Sequence, residues 1–125
     1  MQLRTRFGIS IAALGILIAF LQLLAATYYL YWEFWWYDIM MHLLGGLFIG
    51  LSFLWVLYFE VPHIKNRIPV FATTFFVVLV VGIAWEVFEY VTGMYNAKNY
   101  NIDTTLDLAM DMVGMMGAYL LFKRI

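Results

Sequence analysis

The chain has 125 residues, of which 66% are hydrophobic and 12% are charged, with a formal net charge of −1 and no cysteine. Because soluble domains carry roughly a quarter of charged residues, this composition predicts one integral membrane domain over residues 1–125, surrounded by membrane lipids. The lack of cysteine excludes disulfides and thiolate metal ligands. The lack of a basic surface excludes a nucleic-acid partner.

Four apolar stretches are long enough to cross the roughly 30 Å hydrocarbon layer of a bilayer. They predict an all-α fold, an integral membrane four-helix transmembrane bundle with spans at residues 9–30, 39–59, 68–92 and 104–122. A cleaved signal peptide is the alternative for the first stretch, because Leu24-Ala-Ala26 loosely fits a cleavage site. The length of that stretch, and the aromatic residues that follow it directly, favour a retained helix.

The aromatic segment Tyr28–Tyr37 follows the first span. Trp and Tyr rings prefer the headgroup region, where the ring is in an apolar environment and its N–H or O–H stays wet. The segment therefore predicts one membrane surface. Within the first span, Gln22 lies on a face of small residues and is predicted to be buried and hydrogen-bonded.

The basic residues predict the orientation in the membrane. Six of them fall on one side of the predicted bundle: Arg4, Arg6, Lys65, Arg67, Lys123 and Arg124. Only Lys98 falls on the other side, and since Lys and Arg concentrate in cytoplasmic segments, both termini are predicted to be cytoplasmic. The acids do the reverse, because all of them except Glu60 belong to the outer half. The positive-inside rule does not require that, so this gathering of acids needs its own cause.

Six ionisable residues from the last three spans fall at matched depths. At about 1.5 Å of rise per residue, they form two predicted tiers, an outer one and one that is a helical turn deeper. The outer tier is Asp38, Glu89 and Asp107, and the inner tier is His42, Glu86 and Asp111. Neighbouring carboxylates cannot all ionise without protons or a cation, and inward-facing acids and His in a four-helix bundle can hold metal ions.

The predicted site is a centre for a divalent metal ion, with ligands drawn from His42, Glu86, Asp111, Asp38 and Asp107. Such donors suit Mg²⁺, Mn²⁺, Zn²⁺ or Fe²⁺ without selecting one of them. Glu89 is predicted to be the catalytic general base. Structural roles are the alternative for two residues, because Asp38 could cap its helix and Thr104-Thr-Leu-Asp107 fits a capping box. Glu33 and Asp103 are predicted to be solvated.

Glycines share the faces that carry these polar residues. Gly46 and Gly50 continue the face of Asp38 and His42 in the second span, and Gly114 continues the acidic face of the last span. Small residues at this spacing let helix backbones approach closely. We therefore expect close helix packing beside the predicted site.

Three short motifs carry the polar pattern: Asp38-x-x-x-His42, Trp85-Glu86-x-x-Glu89 and Asp107-x-x-x-Asp111-x-x-Gly114-x-x-Gly117. Together they resemble the VanZ-like superfamily of small bacterial membrane proteins, in a form closer to its YjdF-type branch. The resemblance covers Tyr37–Leu121 and implies a multi-pass protein associated with the cell envelope. Glu89 and Asp111 depart from the superfamily pattern, where Gln and Asn are common, and both departures add negative charge that favours a bound cation.

The predicted function is an outward-facing acidic pocket that binds a divalent cation and acts on a lipid or lipid-linked substrate of the envelope. No arginine lies near the acids, so phosphoryl chemistry there would need metal ions to supply positive charge. One alternative is a component that binds or transports cations or protons, which would need an oligomer because four helices are few for a transporter. Another is a structural or regulatory subunit whose acids are locked by hydrogen bonds.

Overall fold

A computed structural model describes residues 2–93 and 100–125, with side chains described from residue 103 onward in the second segment. The helices are α1 (Leu3–Tyr28), α2 (Leu30–Glu33), α3 (Trp35–Trp55), α4 (Pro62–Lys65), α5 (Val70–Thr92) and α6 (Tyr100–Lys123). A single π-helical turn, Val56–Glu60, extends α3. The described residues contain no strand, and α1, α3 with its π-helical turn, α5 and α6 are long and apolar enough to cross a membrane. The prediction of an all-α bundle with four spanning helices is confirmed.

The last helix begins earlier than the sequence pattern indicates. The sequence predicts that the last span starts at residue 104, after a polar loop over residues 93–103, but α6 starts at Tyr100, so that residues 100–103 are helical. Thr104, in the second turn of this helix, lies within hydrogen-bonding distance of α5. The remainder of the predicted loop, residues 94–99 with Lys98, lies outside the described residues.

The two helices at the centre of the bundle, α3 and α6, run side by side in the same direction. A Cβ atom added to Gly46 would collide with the backbone carbonyl of Asp111, and one added to Gly50 would lie 2.9 Å from the Cβ of Ala118. A Cβ on Gly114 would collide with the carbonyl of Leu43. The predicted close packing at these glycines is confirmed. Around this pair, α1 packs on α3, and α5 packs on both α6 and α3.

The end of the bundle that carries the described Lys and Arg residues, named here the basic end, is closed by an apolar cluster. Its buried members are Leu51, Leu54, Ala118 and Phe122. The ring of Phe7 on α1 packs on that of Phe122, with 4.7 Å between the ring centroids. Arg4 stays at the surface, where its Nη2 lies 2.7 Å from Glu60 Oε1. The opposite end, named the acidic end, holds the polar residues predicted to form a site.

The side chains of the aromatic segment at the acidic end differ in exposure. Trp32 and Trp35 are 74% and 81% exposed, which suits a ring of aromatic side chains at a membrane surface. Tyr37 is buried, and its hydroxyl donates to the Leu21 carbonyl at 2.7 Å, so the prediction that Tyr37 belongs to the surface belt is wrong. The physical reason is that hydrogen bond to α1, which holds Tyr37 against the bundle; the chain reaches it after a turn at Tyr29, whose backbone is left-handed (φ 56°).

Candidate metal centre

His42 lies at the centre of the acidic end, on the second turn of α3, and is 6% exposed. Three carboxylates from three helices surround its Nε2 atom. Asp38 Oδ1 and Glu86 Oε1 each lie 3.7 Å from Nε2, and Asp107 Oδ2 lies 3.6 Å away. The i, i+4 spacing within α3 aligns Asp38 with His42 on one face, while α5 and α6 contribute the other two. One ring nitrogen therefore faces an array of carboxylate oxygens.

The distances from Nε2 to the three carboxylate oxygens indicate what could bind between these atoms. Hydrogen bonds from nitrogen to oxygen measure about 2.7–3.2 Å, so Nε2 makes no direct hydrogen bond to any of these carboxylates. Two donor atoms bound tetrahedrally to one ion, each at about 2.1 Å, are about 3.4 Å apart. His42, Glu86, Glu89 and Asp107 offer ligand atoms that all lie within 4.8 Å of one another. These residues could hold a metal ion with small adjustments of their side chains.

Asp111 occupies the opposite side of the imidazole ring. Its Oδ1 lies 3.1 Å from His42 Nδ1. An ionised carboxylate can only accept a hydrogen bond, so this contact keeps the proton on Nδ1 and leaves the Nε2 lone pair free for a cation. Metal-binding His residues commonly have such a carboxylate partner, which fixes the tautomer and the ring orientation. Asp111 therefore lies where it can orient His42, and it is not among the residues whose ligand atoms converge on Nε2.

Four carboxylate oxygens in the cluster are buried and have no hydrogen-bond partner within the described part of the chain: Glu86 Oε1, both oxygens of Asp107, and Asp111 Oδ2. Asp107 is completely buried, at 0% exposure. The other oxygen of Glu86 accepts a hydrogen bond from Thr104 Oγ1 at 3.0 Å. Burying a polar group without a partner costs about 1–3 kcal/mol, and more for a charged group. The cluster therefore requires protons or a cation.

Protein side chains of opposite charge do not supply that cation among the described residues. The six described Lys and Arg residues belong to the basic end: Arg4, Arg6, Lys65, Arg67, Lys123 and Arg124. Within the same described segments, His42 is the only basic group that contacts these acids. A protonated His42 could balance one carboxylate, which leaves the others in need of protons or an ion.

The alternative structural roles weighed for Asp38 and Asp107 are not supported. The N-cap of α3 is Phe34, so Asp38 lies inside the first turn and makes no capping bond. Thr104 lies inside α6, and its hydroxyl donates to Glu86, so the predicted capping box with Asp107 is wrong. It failed because the helix begins a turn earlier than the Thr-x-x-Asp pattern suggests.

All six predicted site residues meet at the acidic end, but they do not form two separate tiers. Glu89 and Asp107, assigned to the outer tier, share one set of ligand atoms with His42 and Glu86 from the inner tier. A second set joins Asp38 and Asp107 to Asp103, and Asp103 is half-buried rather than solvated. The i, i+4 spacing of Asp103 and Asp107 on one helix face was the signal that could have revealed this pairing. Glu33 is exposed, as predicted.

The short helix α2 lies across the acidic end beside the cluster. The Tyr31 hydroxyl donates to Gln22 Oε1 at 2.6 Å, which confirms the prediction that Gln22 is hydrogen-bonded, but its side chain is half-buried rather than buried. Burial, followed by the nearby Asp38 carboxylate, raises the pKa of Tyr31. Tyr31 therefore stays protonated as a donor and links α2 to α1 next to the acids.

The fold and the cluster together define a multi-pass membrane protein, a bundle of four long apolar helices with a buried group of His and carboxylate residues at one end. The chain belongs to the family described as "Predicted membrane protein (DUF2238)", whose model matches residues 1–125. No match was found among curated proteins or among solved structures. The resemblance to the VanZ-like superfamily stays a prediction.

Proposed function

We propose that this protein binds a divalent metal ion at the acidic end, through His42 Nε2, Glu86 and Asp107. Asp38, whose Oδ1 lies 3.7 Å from Nε2, would complete the ligand set. The observation that carries this proposal is the ring of three carboxylate oxygens 3.6–3.7 Å from Nε2, too distant for hydrogen bonds and close to the separation of donors around one ion.

The donor set favours a first-row transition ion. Mg²⁺ prefers oxygen ligands in octahedral geometry and keeps several waters, whereas imidazole is a good ligand for Zn²⁺ and Fe²⁺. The carboxylate of Asp111 behind the ring, 3.1 Å from Nδ1, resembles the arrangement that increases the basicity of a metal-binding His. Among the four ions allowed by the sequence, we therefore favour Zn²⁺ and Fe²⁺ over Mn²⁺ and Mg²⁺.

The proposed reaction class is metal-assisted chemistry on a lipid or lipid-linked substrate of the cell envelope. A bound divalent ion polarises a substrate oxygen or activates water. Glu89 is half-buried in the last turns of α5 and belongs to the same set of ligand atoms as His42. It is positioned to take a proton as the general base. The cluster lies in helices long enough to span a membrane, so lipids are the substrates nearest to it.

A network of hydrogen bonds alone explains the cluster less well. The contacts His42–Asp111 and Thr104–Glu86 support such a network. Among the residues that the structure describes, however, it leaves the four buried oxygens without partners, and unpartnered buried groups destabilise a folded protein.

Metal analysis of the purified protein tests the proposal. We expect about one divalent ion per chain in the wild type, loss of the ion in Glu86→Gln, and retention in Glu33→Gln, which removes an exposed acid from the same end. Wild-type protein that binds none of Zn²⁺, Fe²⁺, Mn²⁺ or Mg²⁺ under titration would sink the proposal. A metal-loaded protein that leaves envelope lipids unchanged by mass spectrometry would favour cation binding or transport over catalysis.

The proposed orientation places both termini in the cytoplasm and the acidic end at the outer leaflet, on the strength of the six basic residues. Because the chain has no cysteine, single substitutions report sidedness cleanly. In intact cells, a membrane-impermeant maleimide should label Glu33→Cys and leave Arg67→Cys unlabelled until the cells are opened. Both side chains are exposed, so the reverse pattern would mean the opposite orientation.

A further inference from the structure

A cavity of about 250 Å³ adjoins the candidate metal centre. Asp38, His42 and Asp111 line its polar end, where Gln22 and Tyr31 also reach it. The rest of the lining is apolar and comes from α1, α3 and α5, including Ile18, Phe48, Ile49, Val78 and Val81. The cavity therefore joins an ionisable end to a wall that resembles hydrocarbon.

The cavity has the form of a groove whose floor is α3. One wall is α1, which has only Ala25 buried among its residues, and the other is α5, where Val81 is 41% exposed. On the floor, a Cβ atom added to Gly45 would meet nothing within 4 Å. All three helices are long and apolar enough to span a membrane, so the groove runs beside lipid hydrocarbon.

We infer that this groove holds the hydrocarbon chain of a membrane lipid whose polar end is an uncharged oxygen group, such as a hydroxyl or an ester carbonyl, directed at His42 and its acids. The inference rests on the proposed metal centre for its polar end, because a bound ion offers a position for an oxygen ligand. An apolar cavity of about 150 Å³ holds one benzene molecule. The larger groove has room for a longer alkyl segment.

The charge around the polar end excludes an anionic headgroup. Five carboxylates gather there: Asp38, Glu86, Glu89, Asp107 and Asp111. A divalent ion bound through Nε2 of a neutral His42 would balance two of them. Arg and Lys are the side chains that usually meet a phosphate, and the described Arg and Lys residues are at the basic end, which leaves the bound ion alone against the excess of carboxylates. A neutral oxygen can approach this site where a phosphate is repelled.

Two photoreactive probes with the same alkyl chain test the inference in lipid nanodiscs. One is a monoacylglycerol and the other a lysophosphatidic acid, each with a diazirine in the chain. We expect the neutral probe to label residues of α1, α3 and α5 that line the groove, and the phosphate probe to label them much less. Equal labelling by both probes would overturn the assignment of an uncharged polar end.

Substitution of Gly45 tests the groove itself. Gly45→Phe directs a ring into the groove from a position where an added Cβ atom meets nothing within 4 Å. A ring that displaces two methylenes of the chain would lower the affinity for the probe about tenfold, and labelling at sub-saturating probe should fall with it. Ala109→Phe, on an exposed position of α6 outside the cavity, is the matched control and should label as the wild type does. Val81→Trp narrows the groove from the opposite wall and repeats the test independently of Gly45.

Metal content measured on the same samples separates this inference from the proposed function. Gly45→Phe with its ion retained and its labelling lost supports the groove. Wild-type protein that holds the ion but gives no labelling of the groove overturns the inference and leaves the metal centre intact. Protein that is labelled in a manner dependent on Gly45 but binds no ion overturns the metal centre and keeps the chain-binding groove.

Discussion

The two ends of the α3–α6 pair are packed in opposite ways. At the basic end, Leu54 and Phe122 are at most 1% exposed and surrounded by apolar side chains. At the acidic end, the same two helices bury His42 and Asp107 against other ionisable groups. Four buried carboxylate oxygens there have no hydrogen-bond partner among the described residues. The glycine contacts between Gly46, Gly114 and the facing backbones lie between these regions.

This difference indicates that the two ends have different roles. Closely packed apolar side chains, as at the basic end, stabilise the folded protein. Buried carboxylates without partners destabilise it, which indicates that the acids are retained for function. We expect changes at the basic end to alter stability alone and changes at the acidic end to alter ligand binding, in some cases with a gain in stability.

The largest effect should come from Phe122→Ala at the basic end. Removing a fully buried aromatic ring costs about 3–5 kcal/mol, and Phe122 also packs on the ring of Phe7. Unfolding by denaturant in mixed micelles measures the loss. The metal affinity of the fraction that remains folded should match the wild type, and a parallel fall in that affinity would show that the two ends are not independent.

Gly46→Ala should damage both ends together, because Gly46 sets the separation of α3 and α6. The added methyl meets the backbone of Asp111, which cannot move aside as a side chain can, so we expect a loss near the upper end of overpacking, about 3 kcal/mol. The adjacent Gly45→Ala has open space and should be neutral or stabilising, since Ala favours helix by about 1 kcal/mol over Gly. Similar unfolding curves for the two variants would contradict the close approach of the helices.

Asp111→Asn should act on the acidic end alone. The variant removes the carboxylate that accepts from His42 Nδ1, and loss of such a partner typically lowers metal affinity about 10–100-fold. Isothermal titration with Zn²⁺ measures the change. Glu33→Gln is the control for altered charge at the same end. An unchanged affinity in Asp111→Asn would remove the orienting role assigned to this residue.

The smallest effect is expected from Asp107→Asn in metal-free protein. Here the sign of the change in the free energy of unfolding distinguishes a functional acid from a structural one. Both Asp107 oxygens are buried without partners among the described residues, and an amide can donate to neighbouring carboxylates while adding no charge. We expect the free energy of unfolding to rise by about 1 kcal/mol while metal binding is lost, as in other trade-offs between stability and function. Destabilisation instead would favour a structural acid network.

The spanning helices and the residues of the site could be predicted from the sequence, because both depend on local sequence pattern. Hydrophobic length gave the spanning helices, and i, i+4 spacing placed Asp38 with His42. The relative axial positions of α3, α5 and α6 depend on contacts between distant residues such as Gly46 and Asp111. Because of these relative axial positions, the residues of the two predicted tiers lie together, and Asp111 lies on the far side of the imidazole ring. Counting the rise along each helix separately does not give the axial position of one helix relative to another.

The aromatic segment and the start of α6 likewise could not be predicted fully from local sequence. The composition of Tyr28–Tyr37 suits a membrane surface, but Tyr37 faces inward, where its hydroxyl donates to the Leu21 carbonyl of α1. Thr104 fits a helix cap in sequence, and only the neighbouring position of Glu86 explains its hydrogen bond. In both cases a tertiary contact overrides a valid local preference.

The hydrogen bond from Thr104 to Glu86 also bears on the order in which the protein is made. Synthesis proceeds from the N-terminus, so α5 enters the membrane with Glu86 before α6 can supply Thr104 and Asp107. An acid within a spanning helix costs up to about 2.5–3.5 kcal/mol on insertion scales, and until α6 is made Glu86 lacks the donor it has in the folded protein. A chain interrupted before α6 would therefore leave an unsatisfied acid in the membrane, which makes the insertion of α6 the step that completes both the fold and the site.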